Sequence, residues 1–158
     1  MDRVRLAVIG VGGMGEHHCK SFAEVAGLDL AAVCDIDAER VRALSEQFHV
    51  PGFINHRELL DSESVDAVLI ATPHYLHPPM SIDAMRAGKH VLCEKPIGVY
   101  THQAEEANRV HAQHPELAYS VMFQMRMAGI NKTVRALIQA GEIGDLTRVV
   151  WINTDWFR

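Results

Sequence analysis

Short runs of aliphatic and β-branched residues alternate along this chain with stretches in which apolar residues recur every three or four positions. Residues 4–9 form the first apolar run and residues 28–33 the second, which leads into Cys34-Asp35. Between them Met14, His18, Phe22, Val25 and Ala26 fall on one face of a predicted helix. Asp37 is placed to cap a second helix carrying Ala38, Val41, Leu44 and Phe48, and Pro51-Gly52 breaks it. A short segment around Phe53-Ile54 and a helical stretch over 58–60 follow. Residues 65–70 are apolar except for Asp66, as a strand buried on both faces requires, and end at Ala71-Thr72-Pro73.

The alternation continues. Pro78 and Pro79 suit the first turn of a helix that bears Met80, Ala84, Met85 and Ala87 and stops at Gly88. Residues 90–93 read as a strand. Thr101 is the expected cap of the next helix, with Glu105 and Glu106 towards its positive end and Pro115 closing it. Residues 117–122 predict a further strand. Ile130, Val134, Leu137 and Ile138 then form a helical stripe with Gly141 as its C-cap, and a last strand is predicted from Leu146 towards Asn153. Strands and helices in this order predict an α/β fold, a doubly wound parallel sheet with helices on both faces.

Composition narrows the function without naming it. A chain of 158 residues, 48% hydrophobic, can build one domain-sized core. A net charge of −5 argues against nucleic acid as a partner. No apolar run has the length of a membrane span. Cys19, Cys34 and Cys93 are odd in number and unclustered, so they read as reduced thiols of a cytoplasmic protein. Ten histidines invite a metal reading, yet His17-His18 and His74/His77 have no cysteine or carboxylate at ligand spacing, and no metal is expected. His18, on the first helix's stripe, reads as a satisfied core histidine.

The strand ends carry the chemistry. Residues 4–9 run into Gly10-Val11-Gly12-Gly13-Met14-Gly15, and Asp35 lies twenty residues past Gly15. In a G-x-G-x-x-G between strand and helix, Gly10 permits a sharp turn, Gly12 lets backbone approach a pyrophosphate, and Gly15 allows close helix–strand packing. The pyrophosphate would lie at the helix N-terminus, and Asp35 would accept from the ribose hydroxyls. The loops at Thr72-Pro73 with His74 and His77, and at Glu94-Lys95-Pro96, leave the same sheet edge, where open α/β sheets bind ligands. Lys95 there is either a solvated lysine or one that polarises a substrate oxygen or tunes a neighbouring acid. Glu94 is either its ion-pair partner or a cofactor acceptor. The Lys95–Pro96 bond is open to cis or trans, trans being the commoner form.

Taken together these residues resemble the glucose–fructose oxidoreductase / inositol dehydrogenase (Gfo/Idh/MocA) family. The carriers are the glycine loop with His18, Asp35-Ile36-Asp37, Ala71-Thr72-Pro73 with His77, the run from Ala87 through Glu94-Lys95-Pro96, and Phe123-Gln124-Met125-Arg126. Residues 138–144 and Trp156-x-Arg158 complete them. The resemblance implies an N-terminal NAD(P)-binding Rossmann domain over 1–122, with 123–158 the truncated beginning of a substrate and dimerisation domain. It implies hydride transfer between nicotinamide and a hydroxyl or carbonyl carbon of a sugar, polyol or related molecule. Lys95 would be the active-site lysine. Gly10, Gly12, Gly13, Met14, Gly15, Asp35, Ile36, Arg40, Ala71, Thr72, Pro73, His74, Glu94 and Pro96 would line the cofactor, with His77 and Arg126 towards its nicotinamide end. Asp35 favours NAD over NADP by repelling a 2′-phosphate, and nearby Arg40 leaves NADP possible. Met127-Ala128-Gly129 departs from the family's usual apolar residue and proline after Arg126.

Family members usually run to more than twice this length, and their second domain supplies a catalytic histidine. The chain is therefore expected to be the cofactor half of such an enzyme, binding dinucleotide and turning over substrate poorly or not at all. The rival reading is a non-catalytic Rossmann protein that senses dinucleotide or binds a partner, with Lys95 structural and Trp151, Trp156 and Phe157 in the partner-binding element. Those aromatics favour self-association under either reading.

Overall fold

The computed structural model describes residues 3–22 and 24–152. The chain falls into two compact units, Met1–Met122 and Phe123–Arg158. The first is built on six strands: β1 (Val4–Ile9), β2 (Leu28–Cys34), β3 (Gly52–Phe53), β4 (Ala67–Ile70), β5 (His90–Cys93) and β6 (Tyr119–Val121). All pair in parallel in the order β3-β2-β1-β4-β5-β6. The chain moves one way from β1 to β3, returns to β4 beside β1, and moves the other way to β6. The strand order therefore reverses between β1 and β4, which is where such sheets open a crevice at their carboxyl ends.

Helices cover both faces. Leu6 and Val8 share one core with Val33, with Cys19 and Phe22 of α1 (Gly13–Phe22), and with Leu44 of α2 (Ala38–Phe48). Ala7 and Ile9 point the other way. Their core holds Leu59 and Leu60 of α3 (His56–Leu60), Ile82 and Met85 of α4 (His77–Arg86), and Ala107 and Val110 of α5 (Thr101–His111). Each fully buried Leu, Ile or Val side chain contributes about 1.5–3 kcal/mol, so the near-continuous apolar β4 is anchored from both sides.

Local signals explain most boundaries. The Asp37 carboxylate accepts from the backbone N–H groups of Glu39 and Arg40 and caps α2. Three expectations shift. The buried stripe of α1 is Gly15, Cys19 and Phe22, which keeps Phe22 of the predicted face but takes Gly15 and Cys19 in place of Met14 and His18, because Gly15 is pressed against the glycine loop; Met14 is exposed, and Val25 lies past the helix end. The cap of α5 is Tyr100, not Thr101: the Gln103 side chain reaches back to accept from the Tyr100 and Val99 N–H groups. The strand predicted over 117–122 is shorter, Tyr119–Val121.

The second unit contains α6 (Gln124–Met127) and α7 (Gly129–Gln139). The turn at α6 was not expected from the sequence. Gly141 follows the α7 cap residue Ala140 in a left-handed conformation, φ 72°. Residues 146–152 form no strand, contrary to expectation, for their backbone groups have no pairing ladder among the described residues. Asn153, Trp156, Phe157 and Arg158 lie outside the described residues. None of residues 123–152 is buried.

Candidate functional site

The carboxyl ends of β1, β2 and β4 enclose a cleft of about 870 Å³. The glycine loop forms its floor. Gly10 sits at φ +86°, and a Cβ there would lie 2.8 Å from the Ala71 backbone, so only glycine lets β1 turn beside the end of β4. A Cβ on Gly15 would come 1.9 Å from the Gly10 carbonyl oxygen, which fixes how closely α1 packs on the loop. Gly12 differs: the nearest neighbour of its missing Cβ is the end of the Arg40 side chain, at 3.4 Å. Nothing in the protein's own packing demands glycine there.

Asp35 braces this loop. Its Oδ2 accepts from the Val11 N–H at 2.8 Å and its Oδ1 from the Asp37 N–H at 3.1 Å. The carboxylate is half-buried and still lines the cleft. Across from it the end of β4 contributes Ala71, Thr72 and Pro73. The Thr72 hydroxyl is shielded from solvent and has no hydrogen-bond partner among the described residues. Cys34 is also in the wall, its thiol pushed up to about 12 by burial and by the Asp35 and Glu58 carboxylates. It is an inert lining group.

The cleft thus gathers Gly10, Gly12, Asp35, Ile36, Arg40, Ala71, Thr72 and Pro73 of the expected residues. Gly13 and Met14 open α1 and are exposed. His74 is exposed in a 3₁₀ turn, His74–Leu76, its ring edge-on to His77 at 5.6 Å between centroids. Arg126 lies in the second unit, stacked over Phe123 at 5.3 Å. Sequence reasoning missed Ile54, Asn55, His56 and Glu58 after β3, and Tyr75, Leu76 and Met80 after β4, all of which line the cleft. The strand-end rule would have found the first group had β3, only two residues long, carried a stronger strand pattern.

At the end of β5 successive side chains diverge. Glu94 is buried, 7% exposed, and Lys95 is exposed. Glu94 Oε1 accepts from His18 Nε2 at 2.7 Å, and Oε2 accepts from the Lys95 backbone N–H at 3.1 Å. An ion pair between the Glu94 and Lys95 side chains is therefore not formed; both Glu94 oxygens are taken, by His18 and by the Lys95 backbone N–H. The Lys95 ammonium has no carboxylate within ion-pair distance among the described residues. His18 is the satisfied histidine expected. His77 is buried too, 1% exposed, with Nδ1 2.7 Å from the Pro96 carbonyl oxygen and Nε2 2.8 Å from that of Thr72. The Lys95–Pro96 bond is cis.

Residues 4–123 match the family described as an oxidoreductase family with an NAD-binding Rossmann fold. The chain belongs to this family. Among curated relatives, an inositol 2-dehydrogenase of Corynebacterium glutamicum (strain R) is 32% identical over 150 residues, covering 90% of this chain and 43% of the relative. A protein named glycosyl hydrolase family 109 protein 1, from Shewanella sp. (strain MR-4), is 35% identical over 109 residues, 63% of this chain and 24% of the relative. The solved structure of scyllo-inositol dehydrogenase from Lactobacillus casei with bound NAD(H) and scyllo-inositol superposes with a TM-score of 0.87 at 27% identity. That match covers 92% of this chain and 44% of the other. The chain thus spans less than half the length of these relatives.

The cleft of this oxidoreductase-family chain fits a dinucleotide by its own geometry. Gly12 leaves space that the protein's packing does not require, the Thr72 hydroxyl lacks a partner among the described residues, and a carboxylate stands at the end of β2. Among the described residues no group of three or more His, Cys, Asp or Glu could hold a metal ion, and no helix is long and apolar enough to cross a membrane.

Proposed function

We propose that this chain is the cofactor-binding part of an NAD-dependent dehydrogenase acting on a polyol or sugar. The observation that carries the reading is the cleft at the reversal of strand order, with Gly12 open to it and the Thr72 hydroxyl unpaired beside it. Gly12 and Gly13 would receive the pyrophosphate at the start of α1, where the first helical N–H groups lack intrahelical partners. Asp35 would accept from the ribose hydroxyls while it holds Val11 in place. A bound nicotinamide dinucleotide supplies hydride exchange with a carbon bearing a hydroxyl or carbonyl. Lys95, free of ion-pair partners among the described residues, would hold or release a proton at its Nζ beside the substrate oxygen.

The polyol class follows from the inositol dehydrogenases, whose alignments extend over 90% or more of this chain. The relative named as a glycosyl hydrolase matches only 63% of it. Residues 123–158 are read as the beginning of a second domain: α7 carries an apolar stripe, Ile130, Val134 and Ile138, that is exposed here. Exposed Val149, Val150, Trp151 and Ile152 favour a homo-oligomer in the same way. Three buried free thiols suit a reducing, cytoplasmic compartment.

Isothermal titration with NAD⁺, NADH, NADP⁺ and NADPH tests the reading. NAD(H) is expected to bind more tightly than NADP(H), and Asp35→Ala to erase that preference by removing the charge that repels a 2′-phosphate. A folded chain that binds none of the four would refute it.

A further inference from the structure

Lys95 is exposed and its side chain is unpaired among the described residues, yet the residues on either side of it are held by two histidines, His77 buried and His18 half-buried. Glu94, on one side, receives the His18 ring on Oε1 and the Lys95 N–H on Oε2. Pro96, on the other, offers its carbonyl to His77 Nδ1, while His77 Nε2 reaches the Thr72 carbonyl at the end of β4. Carbonyl oxygens only accept, so a ring nitrogen that carries hydrogen donates to the carbonyl it faces, Nδ1 to Pro96 or Nε2 to Thr72. The histidines come from opposite faces of the sheet: α1 packs with the core of Leu6 and Val8, α4 with that of Ala7 and Ile9. His18 belongs to the helix that opens at the glycine loop, and His77 is tied to the loop bearing the Thr72 hydroxyl. Both parts of the cleft edge are thus linked to the segment carrying Lys95.

We infer that His18 and His77 are positioning residues for Lys95, a two-sided clamp on 94–96 that registers the lysine against the glycine loop and the Thr72 loop. The inference rests on the dinucleotide reading for its purpose, though the clamp can be tested without ligand. Were these histidines only packing groups, a ring of the same size would serve at position 18, where His18 stacks on Phe22 with centroids 5.9 Å apart. A clamp requires the donor.

The test is amide hydrogen exchange by NMR on the 158-residue chain, with NADH titration alongside. In His18→Phe, which keeps the ring, the Lys95 amide, bonded to Glu94 Oε2, should exchange about tenfold faster while β1 and β4 amides hold their rates. His18→Gln, which carries an N–H near the same place, should restore the Lys95 rate. At position 77, Asn can reach the Pro96 carbonyl and Gln the Thr72 carbonyl, so His77→Gln should loosen 95–98 and His77→Asn should not. Unchanged exchange in His18→Phe, or acceleration spread evenly over the sheet, overturns the clamp, as does equal behaviour of the two position-77 variants should His18→Phe not fold. A wild-type chain that fails to bind NADH overturns the dinucleotide reading instead, and with it the purpose of the clamp. NADH binding with unchanged exchange overturns the clamp alone.

Discussion

The two ends of the same parallel sheet treat their polar groups in opposite ways. At the amino ends Arg3, Arg5 and Lys89 are each answered by a group from a neighbouring strand or the turn leading to one. Arg5 on β1 grips Asp66 before β4, with Nη2 to Oδ1 at 2.6 Å, Nε to Oδ2 at 3.0 Å and its backbone N–H to Oδ2 at 2.9 Å. Arg3 pairs with Asp29 on β2, and Lys89 donates to the carbonyls of Ser62 and Val65. At the carboxyl ends, Asp35, Glu94 and His77 bond backbone groups of the loops, and the Thr72 hydroxyl and Lys95 ammonium have no partners there among the described residues. One end ties strands together. The other fixes loops and leaves two donors unpaired among the described residues.

The contrast breaks most severely at Gly15. A methyl group there would overlap the Gly10 carbonyl oxygen, which belongs to backbone that cannot swing aside. Gly15→Ala should lower stability by about 1–3 kcal/mol and abolish dinucleotide binding, as read by denaturant unfolding and calorimetric titration. An Ala variant that binds NADH as wild type would mean that the loop geometry is not what receives the cofactor.

The same contrast explains what could be read without a structure. The glycine spacing, Asp35 and the run to Pro96 lie in contiguous sequence, and their strands have strong apolar patterns, so the sheet edge that joins them was legible. The pairing of His18 with Glu94 was not, because it spans 76 residues and depends on which side of β5 Glu94 faces. Ile54 and Asn55 escaped for another reason: β3 is two residues long, too short for periodicity to register. Residues 146–152 read as a strand since Val149, Val150 and Ile152 favour one, but that preference takes effect only where a neighbouring strand completes the ladder. Sequence pattern located the cleft; contacts between distant residues decided how its walls are braced.

A smaller effect sharpens the comparison at the carboxyl end. Thr72→Val removes the solvent-shielded hydroxyl while preserving the branched shape. A buried polar atom without a partner costs about 1–3 kcal/mol, and one hydrogen bond is worth about 0.5–1.5 kcal/mol net. The variant should therefore unfold at equal or higher denaturant concentration and bind NADH about two- to tenfold more weakly. Opposite signs for stability and binding are what distinguish a ligand donor from a structural one. Loss of both would make the hydroxyl part of the fold.

Asp66 at the amino end should do the reverse, with the smallest magnitude. The Arg5 side chain and backbone N–H hold its carboxyl down from the ordinary 3.8 to about 2. The folded chain therefore resists protonation there more than the unfolded chain, and the carboxylate's contribution is complete above about pH 4. As pH falls the unfolded state takes the proton first, and the contribution is lost progressively until pH passes below about 2. The pair is open to solvent, with side-chain exposures of 47% and 36%, so screening limits its worth to about 1 kcal/mol or less. Asp66→Asn should lower stability by no more than that near neutral pH and flatten the pH dependence between 4 and 2, measured by urea unfolding at a series of pH values. NADH affinity should not change, because Arg5 and Asp66 sit at the other end of β1 and β4 from the cleft. A variant that weakened binding would mean that the two ends of the sheet are coupled, and the division of labour between them would fall.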